Sequence, residues 1–143
     1  MSSYWESSTI ATLLLQQRGW EHLKALAEAP PIPCFSDFGA GEVISAIGIN
    51  VRQGLVDALR GEEAADGLGV MLAPWRRTPL IEADIARAAR YLRHFALGLR
   101  LPDALYIAVA ERLNLQLVTA DRRQYAAARA LGVAAHNPFD EGA

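Results

Sequence analysis

At 143 residues, 52% hydrophobic and 21% charged, the chain has the size and composition of one globular domain, 1–143, which excludes a disordered or fibrous protein. Its net charge of −2 excludes binding of nucleic acid or membrane by bulk positive charge, while leaving room for a local basic groove. Cys34 is the only cysteine, so neither an internal disulfide nor a CxxC-type metal site can form.

The first charge, Glu6, is acidic, unlike the basic start of a secretory signal. No run reaches the ~20 apolar residues of a membrane span. A soluble cytoplasmic protein is therefore expected, with no membrane partner. Tyr4 and Trp5 read as a weak first strand, followed by a helix from about Thr9 to Arg18. A second helix, Trp20–Ala29, is stopped by Pro30–Pro31, and Ile32–Ser36 suits a short buried strand. EVISAIGINV starts a mostly apolar helix near Gly41 or Glu42, and Leu55 to about Leu68 is an amphipathic helix with an acidic side. Val70–Ala73 or nearby reads as a strand. Thr78–Pro79 reads as an N-cap with proline at the first position of a helix that sets Leu80, Ile81, Ala88, Leu92 and Phe95 near one side.

Next comes LPDALYIAVA (Leu101–Ala110), a helix apolar almost all round, whose one charge is Asp103. Leu115–Ala120 is the clearest strand, RRQYAAARALG is a helix stopped by Gly132, and VAAHNPF is a last edge strand limited by Pro138. Strands separated by helices imply an α/β fold with a mostly parallel sheet covered on both faces.

Four of the 16 acids stand apart: Glu6, Glu42 and Asp103 have uncharged neighbours, and Asp121 closes an uncharged run, with Arg122 and Arg123 directly after it. Glu6 follows the first strand and Asp121 follows the clearest one. Glu42 and Asp103 are read as first-turn residues of apolar helices. Strand C-termini and the N-termini of following helices share one edge of a parallel sheet, where sites form. Taken singly, each acid also suits an ordinary role: Asp121 as an N-cap, Glu42 and Asp103 as dipole-favoured acids, Glu6 as surface. Together, four carboxylates at one edge repel unless a divalent cation sits among them. An oxygen-only set points to Mg²⁺ or Mn²⁺ rather than Zn²⁺, and to phosphodiester hydrolysis by an activated water.

The order YWESS, SDFGAGEVISAI, LRLPDALYIAVAERLNLQLVTAD resembles the PIN-domain family, especially its VapC-type toxin ribonucleases. Glu6 with Ser7 and Ser8 matches the family's first acid and small hydroxyl residues, and Glu42 its second acid. Asp103, Ala104, Ala108 and Ala110 match its D-A-x-x-x-A-x-A helix, and Thr119 with Asp121 its T-x-D strand end. The resemblance implies a three-layer α/β/α sandwich and a Mg²⁺- or Mn²⁺-dependent endoribonuclease leaving 5′-phosphate and 3′-hydroxyl ends. It further implies an RNA substrate, a cognate antitoxin and a homodimer. Carried over by position, Glu6, Glu42, Asp103 and Asp121 are metal ligands or water-positioning groups, with Ser8 and Thr119 hydrogen-bonding them. One departure is Glu6, where the family usually has aspartate. It keeps open a PIN-like module that binds RNA or protein without turnover.

Arg122 and Arg123 are candidate RNA-phosphate contacts, as are Arg76, Arg77, Arg93 and Arg100; ordinary solvated arginine is the alternative. His22, His94 and His136 show no catalytic or metal spacing, and Cys34 reads as a small buried residue. Trp5, Trp20 and Trp75 suit the core or a partner surface. A receiver-like domain needs a lysine near its last strands, and Lys24 is the only lysine. A haloacid-type phosphatase needs a DxD after the first strand, which WESS lacks.

Overall fold

The computed structural model describes residues 1–140. In chain order the elements are β1 (Ser3–Trp5), α1 (Ser7–Leu14), α2 (Trp20–Glu28), β2 (Cys34–Phe35), α3 (Asp37–Arg52), α4 (Ala58–Leu72) and β3 (Arg76–Arg77). There follow α5 (Glu82–Leu92), a single 3₁₀ turn (Phe95–Leu97), α6 (Leu101–Leu113), β4 (Gln116–Val118), α7 (Arg122–Ala130) and β5 (Ala135–His136). Every strand pair is parallel, in the order β3-β2-β1-β4-β5.

Alternation along the short strands builds the three layers, because successive side chains leave opposite faces of a sheet. Tyr4, Cys34 and Leu117 enter one core with α5, α6 and α7, where Ala88, Tyr91, Ile107 and Ala128 are buried. Trp5, Phe35 and Val118 enter the other with Ile10 of α1, Leu23 of α2, Val43 of α3 and Leu68 of α4. Trp75 closes that second core edge-on to Trp5, with ring centroids 5.2 Å apart. Residues 104–110 of α6 are all buried, in keeping with its nearly unbroken apolar sequence. Cutting Ile107 to alanine there would cost about 2–5 kcal/mol.

Several expected boundaries move. α1 ends at Leu14 rather than Arg18, and Gln16 turns the chain with φ 50°. Ser36 Oγ accepts from Gly39 N–H at 3.1 Å and starts α3 at Asp37, so Glu42 lies in the second turn, not the first. α4 begins after its cap Asp57 and runs through Val70 to Leu72. The strand expected at Val70–Ala73 is instead Arg76–Arg77, set by pairing with β2. Thr78 is not a helix cap: its N–H and Oγ1 both donate to Phe35 O, at 2.8 and 3.1 Å, which prolongs β3. Pro79 and Leu80 therefore precede α5, whose Ile81 N–H is capped by Asp84 Oδ2 at 2.9 Å. Of the residues expected on one side there, Ala88 is buried while Ile81 and Phe95 are exposed. α6 begins at Leu101, so Pro102 is its second residue.

The sheet order carries the chief consequence for function. The chain builds outward from β1 through β2 to β3, then crosses back to β4 on the other side of β1. In open α/β sheets such a reversal, here beyond the C-terminal ends of β1 and β4, is the place where ligands bind.

Candidate active site

Glu6 stands directly after β1 and Asp121 three residues past the end of β4, the two strands that flank the reversal. Glu6 N–H donates to Val118 O at 3.2 Å, tying it to the end of β4. Its carboxylate is the N-cap of α1. Oε2 accepts from Ser8 N–H at 2.9 Å, and Oε1 accepts from Thr9 N–H at 3.1 Å and from the Ser8 hydroxyl. The residue is only 5% exposed. Burial pushes its carboxyl pKa up; the three hydrogen bonds oppose that, and the nearby charge of Asp121 adds to it.

Asp121 is exposed and caps α7, its Oδ1 accepting from Arg123 N–H at 2.8 Å and Gln124 N–H at 3.1 Å. Thr119 is fully buried, and its Oγ1 accepts from Asp121 N–H at 3.0 Å. Thr119 thus braces the main chain of Asp121, where a bond to a carboxylate was expected. Asp103 is half-buried in the first turn of α6, and its Oδ2 accepts from Arg100 N–H at 3.1 Å. Helix capping is therefore a real role for Glu6, Asp103 and Asp121, and it leaves lone pairs on each carboxylate.

Glu42 is half-buried on α3, and its Oε1 accepts from the Tyr106 hydroxyl and, at 3.2 Å, from the Ser7 hydroxyl. The Tyr106 ring is wedged between Tyr4 and Phe38, with centroids 5.7 and 5.5 Å away. Burial, then the bond to Glu42, drive the phenol pKa far up, so it stays a donor. Gly39 lets the Tyr106 hydroxyl approach, since a side chain there would begin 3.2 Å from it.

The sequence reading does not single out Tyr106 or Gln124, and it includes Ser7 only as a match to the family's small hydroxyl residues. Tyr106 and Ser7 hold Glu42. Gln124 is buried and donates from Nε2 to Asp103 O at 3.2 Å, joining α7 to the first turn of α6. Helical spacing carries a signal for two of them: Tyr106 is three residues after Asp103, and Gln124 three after Asp121.

Contacts thus link Glu6 to Asp121 through the sheet, Asp121 to Asp103 through Gln124, and Glu42 to Ser7 beside Glu6. Among the described residues, however, no three His, Cys, Asp or Glu side chains gather as a ready-made metal cage. What fits a divalent cation is the donor chemistry: hard carboxylate oxygens, with buried Glu6 crowded by the charge of Asp121. Cys34 is buried in β2, its thiol pKa pushed up by burial. His22 and His94 are exposed, His136 lies on the edge strand β5, and none joins the acids. An open apolar groove of about 530 Å³, lined by Leu13, Trp20, Ile32, Met71 and Trp75 among others, lies apart from the four acids.

Comparison with known proteins agrees with this architecture. The family description PIN domain matches residues 6–130. A toxin–antitoxin complex from Klebsiella pneumoniae superimposes with a TM-score of 0.69 at 19% identity, covering 97% of this chain and 99% of that one. VapBC2 from Rickettsia felis, bound to a DNA fragment from its promoter, gives 0.71 at 14% identity, covering 98% and 100%. VapC20 from Mycobacterium tuberculosis, described as a sarcin-ricin loop cleaving toxin, gives 0.68 at 21% identity, covering 88% and 95%. No curated protein sequence matches the chain.

Proposed function

Because this chain belongs to the PIN-domain family, we propose that it is a divalent-metal-dependent endoribonuclease and the toxin of a toxin–antitoxin pair. The observation that carries this reading is the placement of Glu6 and Asp121 at the reversal point of the sheet, with Asp103 tied to Asp121 through Gln124. Glu6, Asp103 and Asp121 would hold Mg²⁺ or Mn²⁺, with Glu42 beside them. When bound, the cation lowers the pKa of a water ligand and neutralises charge on the scissile phosphate.

The chain's own residues do the positioning. Ser8 and Thr9 fix the Glu6 carboxylate, and the hydrogen bonds they give it favour its ionised form. Thr119 fixes the main chain of Asp121. Tyr106 and Ser7 bind one oxygen of Glu42 and leave Oε2 to orient water or share in the metal. Arg122 and Arg123 open α7 beside Asp121 and are exposed, so they can meet RNA phosphates.

The structural relatives include toxin–antitoxin complexes, which supports an antitoxin partner and a homodimer. The apolar groove at Trp20 and Trp75 suits the apolar side of that antitoxin. Among the described residues no helix is long and apolar enough to cross a membrane; the cytoplasmic setting is part of the proposal and rests on the family alone.

The test compares the purified protein and Asp103→Asn on structured RNA with Mn²⁺, with Mg²⁺ and with chelator. Cleavage by the wild type alone, abolished by chelator, is expected. Equal cleavage by both proteins, or cleavage indifferent to chelator, refutes the reading. A second reading, a PIN-like module that binds RNA or protein without turnover, is favoured by Glu6 standing where the family usually has aspartate. Retained RNA or antitoxin binding with no cleavage by either protein would select it.

A further inference from the structure

The segment from Arg87 to Arg100 is unlike the rest of this mildly acidic chain. No acid lies between Asp84 and Asp103, while Arg87, Arg90, Arg93 and Arg100 do. Arg93, His94, Phe95 and Arg100 are all exposed. At 85%, Phe95 is the most exposed large hydrophobic residue of the described chain. A single exposed hydrophobic residue is ordinary by itself; what sets Phe95 apart is that its segment is basic and adjoins the acids.

This segment sits beside the acids. Its 3₁₀ turn ends at Gly98, which has φ +65°, and a side chain there would begin 3.4 Å from Cδ of Arg123. Arg123 in turn donates its main-chain N–H to Asp121. On the other side Arg100 N–H caps Asp103. Phe95 is three residues from Gly98, so their Cα atoms are within about 11 Å of each other. An exposed ring in a turn bounded in sequence by Arg93 and Arg100, close to the acids, is the combination that suits unpaired nucleotides: a ring stacks a base, and arginines neutralise phosphates.

We propose that the Arg93–Arg100 turn is a nucleobase-stacking subsite for single-stranded RNA, with Phe95 the stacking face and Arg93, Arg100 and Arg123 its phosphate contacts. The proposal rests on the ribonuclease reading above. It deepens that reading by making an unpaired base next to the cut a condition of tight binding, because a base inside a duplex cannot reach the ring.

The experiment measures binding of a fluorescein-labelled oligoadenylate of about ten nucleotides by anisotropy, with chelator present so that binding is read without cleavage. Phe95→Ala is expected to weaken binding about tenfold or more, and Phe95→Trp to retain it. An oligonucleotide of the same length with abasic residues should bind wild type and Phe95→Ala equally. Because Phe95 is solvent-exposed, its truncation removes no core contact. If wild type binds and Phe95→Ala binds as tightly, the subsite is overturned while the ribonuclease reading stands. If wild type neither binds nor cleaves RNA, the ribonuclease reading falls and the subsite with it. If Phe95→Ala changes oligomeric state in gel filtration but leaves the RNA affinity intact, the turn is a protein contact and the proposal is overturned.

Discussion

Arg112→Met should be the most damaging single change outside the apolar cores. Asp84 is 1% exposed, and its carboxylate takes Arg112 Nε at 2.7 Å, Arg112 Nη2 at 3.0 Å and Ile81 N–H at 2.9 Å. The same Nη2 also donates to Pro79 O at 2.8 Å. Methionine keeps the apolar stem but removes the guanidinium, leaving a buried carboxylate with one main-chain donor. Breaking a buried pair from one side costs about 3–5 kcal/mol. The Arg112 side chain is 26% exposed, so water can partly replace it and the lower end, about 3 kcal/mol, applies. For a chain of this size that is a fall of roughly 6–12 °C in Tm. Urea unfolding at neutral pH gives the number directly. Adding Asp84→Leu to Arg112→Met should recover part of the loss, because the pair's replacement by apolar groups removes the stranded charge. The pair joins α5 to α6, the helix that carries Asp103 and Tyr106, so Arg112→Met should also lower any nuclease activity. A loss below about 1 kcal/mol would refute the reasoning, since the bridge would then behave as a surface ion pair.

Three further outcomes follow from the site. The raised carboxyl pKa of Glu6 means the folded state binds a proton more tightly than the unfolded chain. Its contribution to stability is therefore full below the ordinary glutamate pKa and lost as pH rises through the folded value. Glu6→Gln should flatten the fall in stability across that window in metal-free urea titrations, and an unchanged pH slope would contradict it. Tyr106→Phe removes one donor from Glu42 and should cost about 1–2 kcal/mol in urea unfolding; a neutral result would mean the Ser7 hydroxyl alone suffices. Mn²⁺ at about a hundred times its Kd should stabilise the wild type by about 2.7 kcal/mol, seen as a rise in Tm, and Asp121→Asn should lose most of that. Equal rises in both proteins would place the cation elsewhere.

Much of this architecture is legible along the chain because it depends on neighbours in sequence. The apolar run of α6, the cap at Asp121 and the strand–helix alternation are local patterns. So are the lone acids Glu6, Glu42 and Asp103 and the strand-end Asp121, together with the motifs that resemble PIN domains. What the tertiary structure alone decides is long-range. Arg76–Arg77 is two residues long, too short to show alternation, and becomes β3 only because β2 offers its edge. The same pairing takes the N–H of Thr78, which is why the expected cap there is absent. Glu42 finds its donor at Tyr106, 64 residues away, and Asp84 its counterion at Arg112, 28 residues away. Periodicity and capping act over a few residues of chain, whereas these partners meet only when the sheet reverses at β1 and packs α3, α5 and α6 around it. The acids could be picked out one by one from the sequence; how each is held, and by whom, is a property of the closed fold.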